Sequence, residues 1–178
     1  MTTPAVLLCA ALAAAGPGTL PSRSEPAARE LASLMAAQKL DTIAVRDPQA
    51  PDTFVAAMLF PDVQLLVVSG RPIAPAAAQA LLDQKKYAEL YSMLQTAVVP
   101  DGKFFVQDLK ADGLHARAPD TADIVYERVV NQTIFDGDPG KRHLSEAKYE
   151  EQFTAADARY AKMLELLSGA IKGRPTSQ

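Results

Sequence analysis

Apolar positions along this chain change period several times, and each change marks an element. Thr53-Phe-Val-Ala-Ala-Met-Leu-Phe60 and Val63-Gln-Leu-Leu-Val-Val-Ser69 are nearly unbroken apolar runs of strand length. Pro61-Asp62 between them suits a tight turn, because Pro presets φ and Asp favours the next position. The pair therefore predicts a β-hairpin, and strands this apolar belong in the centre of a sheet covered on both faces. Phe54, Met58, Leu65 and Val67 are the expected core of that hairpin. Thr42–Val45, Lys103–Leu109 and Asp123–Val130 read as further strands, with Asn131-Gln132 turning the chain into Thr133–Phe135. Helical spacing appears in three places. Ala27, Ala28, Leu31, Leu34 and Met35 predict a helix over Pro26–Lys39, entered through the capping pattern Ser22-x-x-Glu25. Leu81, Leu82, Tyr87, Leu90, Tyr91 and Leu94 predict a helix over Ala76–Gln95 with a break at Asp83–Lys86. Tyr149, Phe153, Ala156, Tyr160, Met163, Leu164, Leu167 and Ile171 predict a long helix capped by Ser145 and stopped by Gly173 and Pro175. The sum is an α+β fold: a mostly antiparallel sheet or small barrel of about five or six strands, two or three flanking helices, and a long C-terminal helix.

The N-terminus follows none of these periods. Residues Met1 to Ser22 carry no charged side chain, and Ala5–Ala15 is an unbroken apolar run. The run has the length of a signal-peptide core and is shorter than the ~20 residues of a membrane span. Gly16-Pro17-Gly18 follows, and Ala13-x-Ala15 fits a small-residue cleavage site. The expectation is an exported protein of bacterial type: a removed signal peptide over residues 1–22, a single domain over 23–174, a tail at 175–178, and a periplasmic or secreted location. Cys9, the only cysteine, sits inside the run after Leu7-Leu8, where a lipid-attachment signal would place a small residue. With the segment removed, the mature chain has no disulfide, no thiol nucleophile and no thiolate metal site.

Composition narrows the partners. The 178 residues carry a net charge of −3, which leaves no electrostatic footprint for nucleic acid. The absence of Trp and an aromatic content of 6% give no stacking platform or sugar-binding surface. His115 and His143 stand apart in no metal-binding frame and read as surface or loop residues. Asp136-Gly-Asp138-Pro-Gly140 begins like a calcium loop but continues into Lys141, Arg142 and His143, so it reads as a turn. Ser69-Gly70 lacks the preceding glycine of a nucleophile elbow. No pair of carboxylates is singled out for glycoside chemistry. Catalytic residues and metal ligands are therefore assigned to none.

One charge stands out. Arg71 follows an apolar strand and precedes a helix, the place where backbone N–H groups, the helix dipole and a guanidinium favour an anion. Ser69 adds a hydroxyl. The order of elements, Ala27–Lys39, Thr42–Val45, Thr53–Phe60, Val63–Ser69, the helix after Pro75 and Lys103–Leu109 onward, resembles the FMN-binding split barrel of pyridoxamine 5′-phosphate oxidase-like proteins. The resemblance implies a split barrel in which Ser69 and Arg71 would grip the flavin phosphate, and a homodimer paired through apolar strands. Pro72, Ile73 and Pro75 stand where that family places a second basic residue, and a lone guanidinium is a weak clamp for a doubly charged phosphate. The functional expectation is thus a non-enzymatic exported domain that binds a small ligand or a protein partner near Ser69 and Arg71, with no cofactor and no stable membrane insertion. The alternative is a split-barrel protein handling flavin (FMN) or heme.

Overall fold

The computed structural model describes residues 20–173, apart from 63, 100–101, 119–122, 128–131 and 138–142. The apolar run before Leu20, Cys9, the stretch 128–131 that ends one expected strand, Asp138 and the 175–178 tail lie outside the described residues. The elements run α1 (Ser24–Ala37), β1 (Thr42–Arg46), β2 (Phe54–Leu59), β3 (Leu65–Gly70), α2 (Pro75–Asp83), α3 (Tyr87–Thr96), β4 (Phe104–Asp108), β5 (Ile124–Glu127), β6 (Gln132–Asp136) and α4 (Glu146–Lys172). The six strands form one antiparallel sheet in sequence order, β1-β2-β3-β4-β5-β6. The sheet is open: a meander leaves β1 and β6 at opposite edges, and helices cover both faces. The expected α+β class holds, with the open-sheet form of the expectation in place of a closed barrel.

The register explains the unbroken apolar runs. Leu65 and Val67 of β3 point to the face packed by α1 and α4, together with Ile43, Val55, Ala57, Phe104, Val106, Val125 and Phe135. The alternate residues Leu66 and Val68 point to the α2/α3 face, with Ala44, Phe54, Ala56, Leu90 and Leu94. A strand buried on both sides has no polar alternation to show. Ala56 and Ala57 pair with Val68 and Val67, and both alanines are fully buried, so the two helical layers close down on small side chains at β2. Of the four expected hairpin core residues, Phe54, Leu65 and Val67 are buried, whereas Met58 is half-buried near the end of β2.

Helix ends follow local chemistry. Ser145 Oγ accepts from Lys148 N and caps α4 at 3.4 Å. The long helical pattern over Ala76–Gln95 divides where its apolar stripe is interrupted. Lys86 N donates to Leu81 O and Lys85 N to Leu82 O, a paired C-terminal cap that stops α2 before α3 begins. The same arrangement ends α1, through Leu40 N to Met35 O and Lys39 N to Ala36 O. Both caps need a left-handed residue just past the helix. Glycine is usual there, yet this chain places Lys39 (φ 53°) and Lys85 (φ 58°).

Leu65 is central in both directions, paired with Leu59 and Asp108 and wholly buried under α4 and α1. Leu65→Ala is expected to lower the unfolding free energy by about 2–5 kcal/mol. A denaturant melt checks this, and a loss below about 1 kcal/mol would place β3 outside the core.

Candidate functional site

The register gives the sheet two ends. One end carries Thr42, Leu59, Leu65, Asp108, Ile124 and Asp136; the other carries Arg46, Phe54, Gly70, Phe104 and Gln132. Ser69 and Arg71 lie at the second end. Ser69 is 6% exposed and paired with Val55 and Phe104, inside the sheet. Arg71 is exposed beyond the strand. The strand does not open directly into a helix. Val99 N donates to Arg71 O, Ile73 N donates to Ala97 O, and Pro72 bridges Val98, so the chain first pairs with the segment leaving α3. This annex fits closely: a Cβ on Gly70 would lie 2.7 Å from Val98 Cγ1. α2 then starts at Pro75 with no side-chain cap.

The first end holds the polar interior. Asp108 faces inward because it alternates with Phe104 and Val106. Its Oδ1 accepts from Lys110 N and Asp112 N, and its Oδ2 from Gly113 N at 2.9 Å and Tyr160 Oη–H at 3.1 Å. One carboxyl thus shapes the 108–114 turn and ties it to α4. Burial pushes the Asp108 carboxyl above the usual carboxylate range, against the lowering effect of the Gly113, Asp112 and Tyr160 donors. Burial, then the neighbouring Asp108, raises the Tyr160 phenol well above its ordinary value, so it remains a donor.

The turn leads to a second buried carboxyl. Asp157 lies on the buried stripe of α4 and is 2% exposed. It accepts from Arg23 N at 2.6 Å, Ser24 N at 3.0 Å and Ser24 Oγ–H at 2.6 Å, with Ser22 Oγ–H at 3.3 Å. Asp157 therefore caps α1 from another helix, where the N–H groups and the helix dipole favour negative charge. Ser22 Oγ accepts from Glu25 N, which completes half of the expected capping box. Ser24 Oγ in turn accepts from Leu114 N at 2.8 Å. Gly113 (φ +89°) packs so closely on α1 that a Cβ would stand 2.4 Å from Glu25 N.

His115 is half-buried beside this knot rather than on the open surface. Its Nδ1 stands 3.8 Å from Asp112 Oδ1 and 3.9 Å from Asp123 Oδ2, and its Nε2 4.0 Å from Glu25 Oε2. Asp112 Oδ1 and His115 Nδ1 are buried and make no hydrogen bond. Asp123 Oδ1 accepts from Leu109 N. Among the described residues, no group of three or more acidic or histidine side chains is placed to hold a metal ion. His143 is exposed.

Clefts lined by described residues include three along the helices. One joins Arg117 to Leu144, Glu146 and Tyr149, and its guanidinium is engaged by Glu146 at 2.6 Å and Glu150 at 3.3 Å. A second runs along α4 from Leu20 past Ala147, Thr154, Ala155 and Ala158, with Glu150 and Glu151 at its side. The third, of about 300 Å³, lies where α1 and α2 end and α3 begins. Lys39, Lys85 and Lys86 line it with Asp41, Thr42, Tyr87 and Glu89. Ser69 and Arg71 line none of the three. The lysines were legible only as the end of one helical pattern and the break in another.

Comparison with known protein families, characterised proteins and solved structures finds no match to this chain.

The raised Asp108 carboxyl sets a pH dependence. The folded state favours its protonated form. The stability this contributes is fully present below the unfolded value of about 3.9 and is lost as pH rises through the higher folded value. Asp108→Asn removes the titration and leaves a pH-independent offset from the altered hydrogen bonds. The stability of the variant relative to wild type should therefore rise between about pH 4 and pH 7. Paired urea melts check this; a constant or falling difference would show that Asp108 ionises without cost.

Proposed function

We propose that this chain is an exported, non-enzymatic domain that binds a small anionic ligand. The observation that carries the reading is the cleft at the ends of α1 and α2. Two helix C-terminal caps, built on left-handed lysines, bring Lys39, Lys85 and Lys86 to one concave surface beside Tyr87. The lysines complement the negative ends of their helices. They outnumber the carboxylates of Asp41 and Glu89 in the same cleft, and the Lys86–Glu89 pair at 3.5 Å is solvent-exposed and weak. A small anion with several oxygens matches compact, mobile ammonium groups better than it matches one guanidinium. Two of the three buried aspartates among the described residues support binding over turnover. Asp108 and Asp157 spend their lone pairs on backbone N–H, Ser and Tyr donors that hold the fold together. Export is supported by the uncharged apolar run Ala5–Ala15.

The test is calorimetric titration of the purified protein with inorganic phosphate, pyrophosphate and FMN, at low and physiological salt, after an absorption scan. Saturable, salt-sensitive binding is expected, weakened about tenfold or more in Lys85→Glu/Lys86→Glu when measured at a temperature well below the variant's own melting midpoint. Absence of binding to all three probes would sink the reading. Binding lost in Arg71→Ala but kept in the lysine variant would move the site to Ser69 and Arg71. A flavin absorption band in protein from the native host would replace the reading with the split-barrel flavin alternative.

A further inference from the structure

His115 stands where the head of α1, the 108–114 turn and the residue before β5 meet. Histidine is the side chain whose charge ordinarily changes between about pH 5 and pH 8. We propose that the ring is a proton-operated clasp: the imidazolium, and not the neutral imidazole, joins these three segments.

Both ring nitrogens face carboxylates. Nδ1 is 3.8 Å from Asp112 Oδ1 and 3.9 Å from Asp123 Oδ2, and Nε2 is 4.0 Å from Glu25 Oε2. A neutral imidazole carries one N–H, so in either tautomer the other nitrogen turns a lone pair toward an acceptor. Only the cation presents an N–H on each side. All three separations exceed hydrogen-bond range, and both Nδ1 and Asp112 Oδ1 are buried without a hydrogen bond. The neutral ring therefore leaves unmade the contacts that the cation would make.

The groups around the ring come from four segments. α1 supplies Glu25, whose Oε1 is 2.9 Å from Arg29, so Oε2 is the oxygen left for the ring. The turn supplies Asp112, whose N–H donates to Asp108 Oδ1. Asp123 enters β5 and is fixed by Leu109 N. α4 supplies Tyr160, whose phenol is under the influence of Asp108, Asp123 and Asp112. Glu25 and Asp112 are partly exposed and have room to swing onto the ring, whereas Asp123 is fully buried. An arginine here would close the junction at every pH; a histidine makes closure conditional. Stability drawn from the ring is present where the ring is charged and is lost as the ring discharges.

Thermal melts of the full chain and of His115→Gln, at pH 5.5 and pH 8.0, measure the clasp. The advantage of the wild type over the variant is expected to be larger at pH 5.5 by about 2 °C or more. The same widening is expected in an Asp108→Asn background, which separates it from the titration of Asp108, and it is expected to shrink by about half or more in Asp112→Asn. An advantage that is equal at the two pH values, or larger at pH 8.0, overturns the proposal, as does a widening that disappears with Asp108→Asn. A second measurement needs no variant. Proton–nitrogen NMR of the wild type at pH 5.5 is expected to show ring N–H protons of His115 protected from exchange with water, while those of the exposed His143 exchange away. Equal exchange for the two rings would show that the His115 imidazolium donates to no carboxylate, and the clasp with it would fall.

Discussion

A carboxylate on the buried stripe of a helix must be surrounded by donors or it unfolds its neighbourhood, and Asp157 makes that demand on the start of α1. Its donors are the free N–H groups at the start of α1, which themselves need an acceptor. Each end of the contact answers the other's deficit. Ser24 extends it by one step: its hydroxyl donates to Asp157 and accepts from Leu114 N, which fixes the segment after β4. Asp108 gathers that same segment from the other side and reaches back to α4 through Tyr160. Two carboxylates, one serine and one phenol thus pin α1, α4 and the β4–β5 connection at one end of the sheet. Gly113 permits the arrangement, since any side chain there would strike the backbone of Glu25.

The architecture was legible because its apolar pattern is local. The unbroken runs of β2 and β3, the break at Asp83–Lys86 and the long stripe of α4 each follow from burial on a fixed period, and the structure places them accordingly. Met58 departs because a run of apolar residues does not say where a strand leaves the covered area. The polar knot was not read, because which donor meets which carboxylate is decided by partners more than a hundred residues apart. A signal was nonetheless present. Asp157 falls between Phe153 and Tyr160 on a stripe that is otherwise apolar, and Asp108 keeps the inward parity of Phe104 and Val106. A charge at an inward position is the mark of a buried partner.

Ser69 and Arg71 show the reverse case. The chemistry read from them was a hydroxyl and a guanidinium where a strand gives way to a helix. The paired annex of residues 71–73 with 97–99 intervenes, turning Ser69 into an interior residue and leaving Arg71 on the surface. His115 shows how little a lone histidine says without its neighbours. Three carboxylates from α1, the β4–β5 turn and the start of β5 stand within about 4 Å of its ring, and none is near it in a recognisable motif.

The layering also decides which surfaces stay uncovered. Both faces of the sheet are covered, by α1 and α4 on one side and α2 and α3 on the other, so the broad surfaces that sheets offer elsewhere are spent on packing. What remains is the margin where helices end. α1, about 21 Å long, has its head at the segment after β4 and its tail at the start of β1, a distance of about three strand spacings, or 14 Å. Its C-terminus therefore reaches the sheet edge just where α2 stops and α3 starts. Helix ends carry unpaired backbone groups and partial charge, which helix bodies do not. Two C-termini drawn together would repel without cations between them, and Lys39 and Lys85 sit in the cap positions that answer this at the cost of a left-handed backbone. A charge arrangement that the helices require for their own ends also leaves ammonium groups facing solvent in a shared cleft.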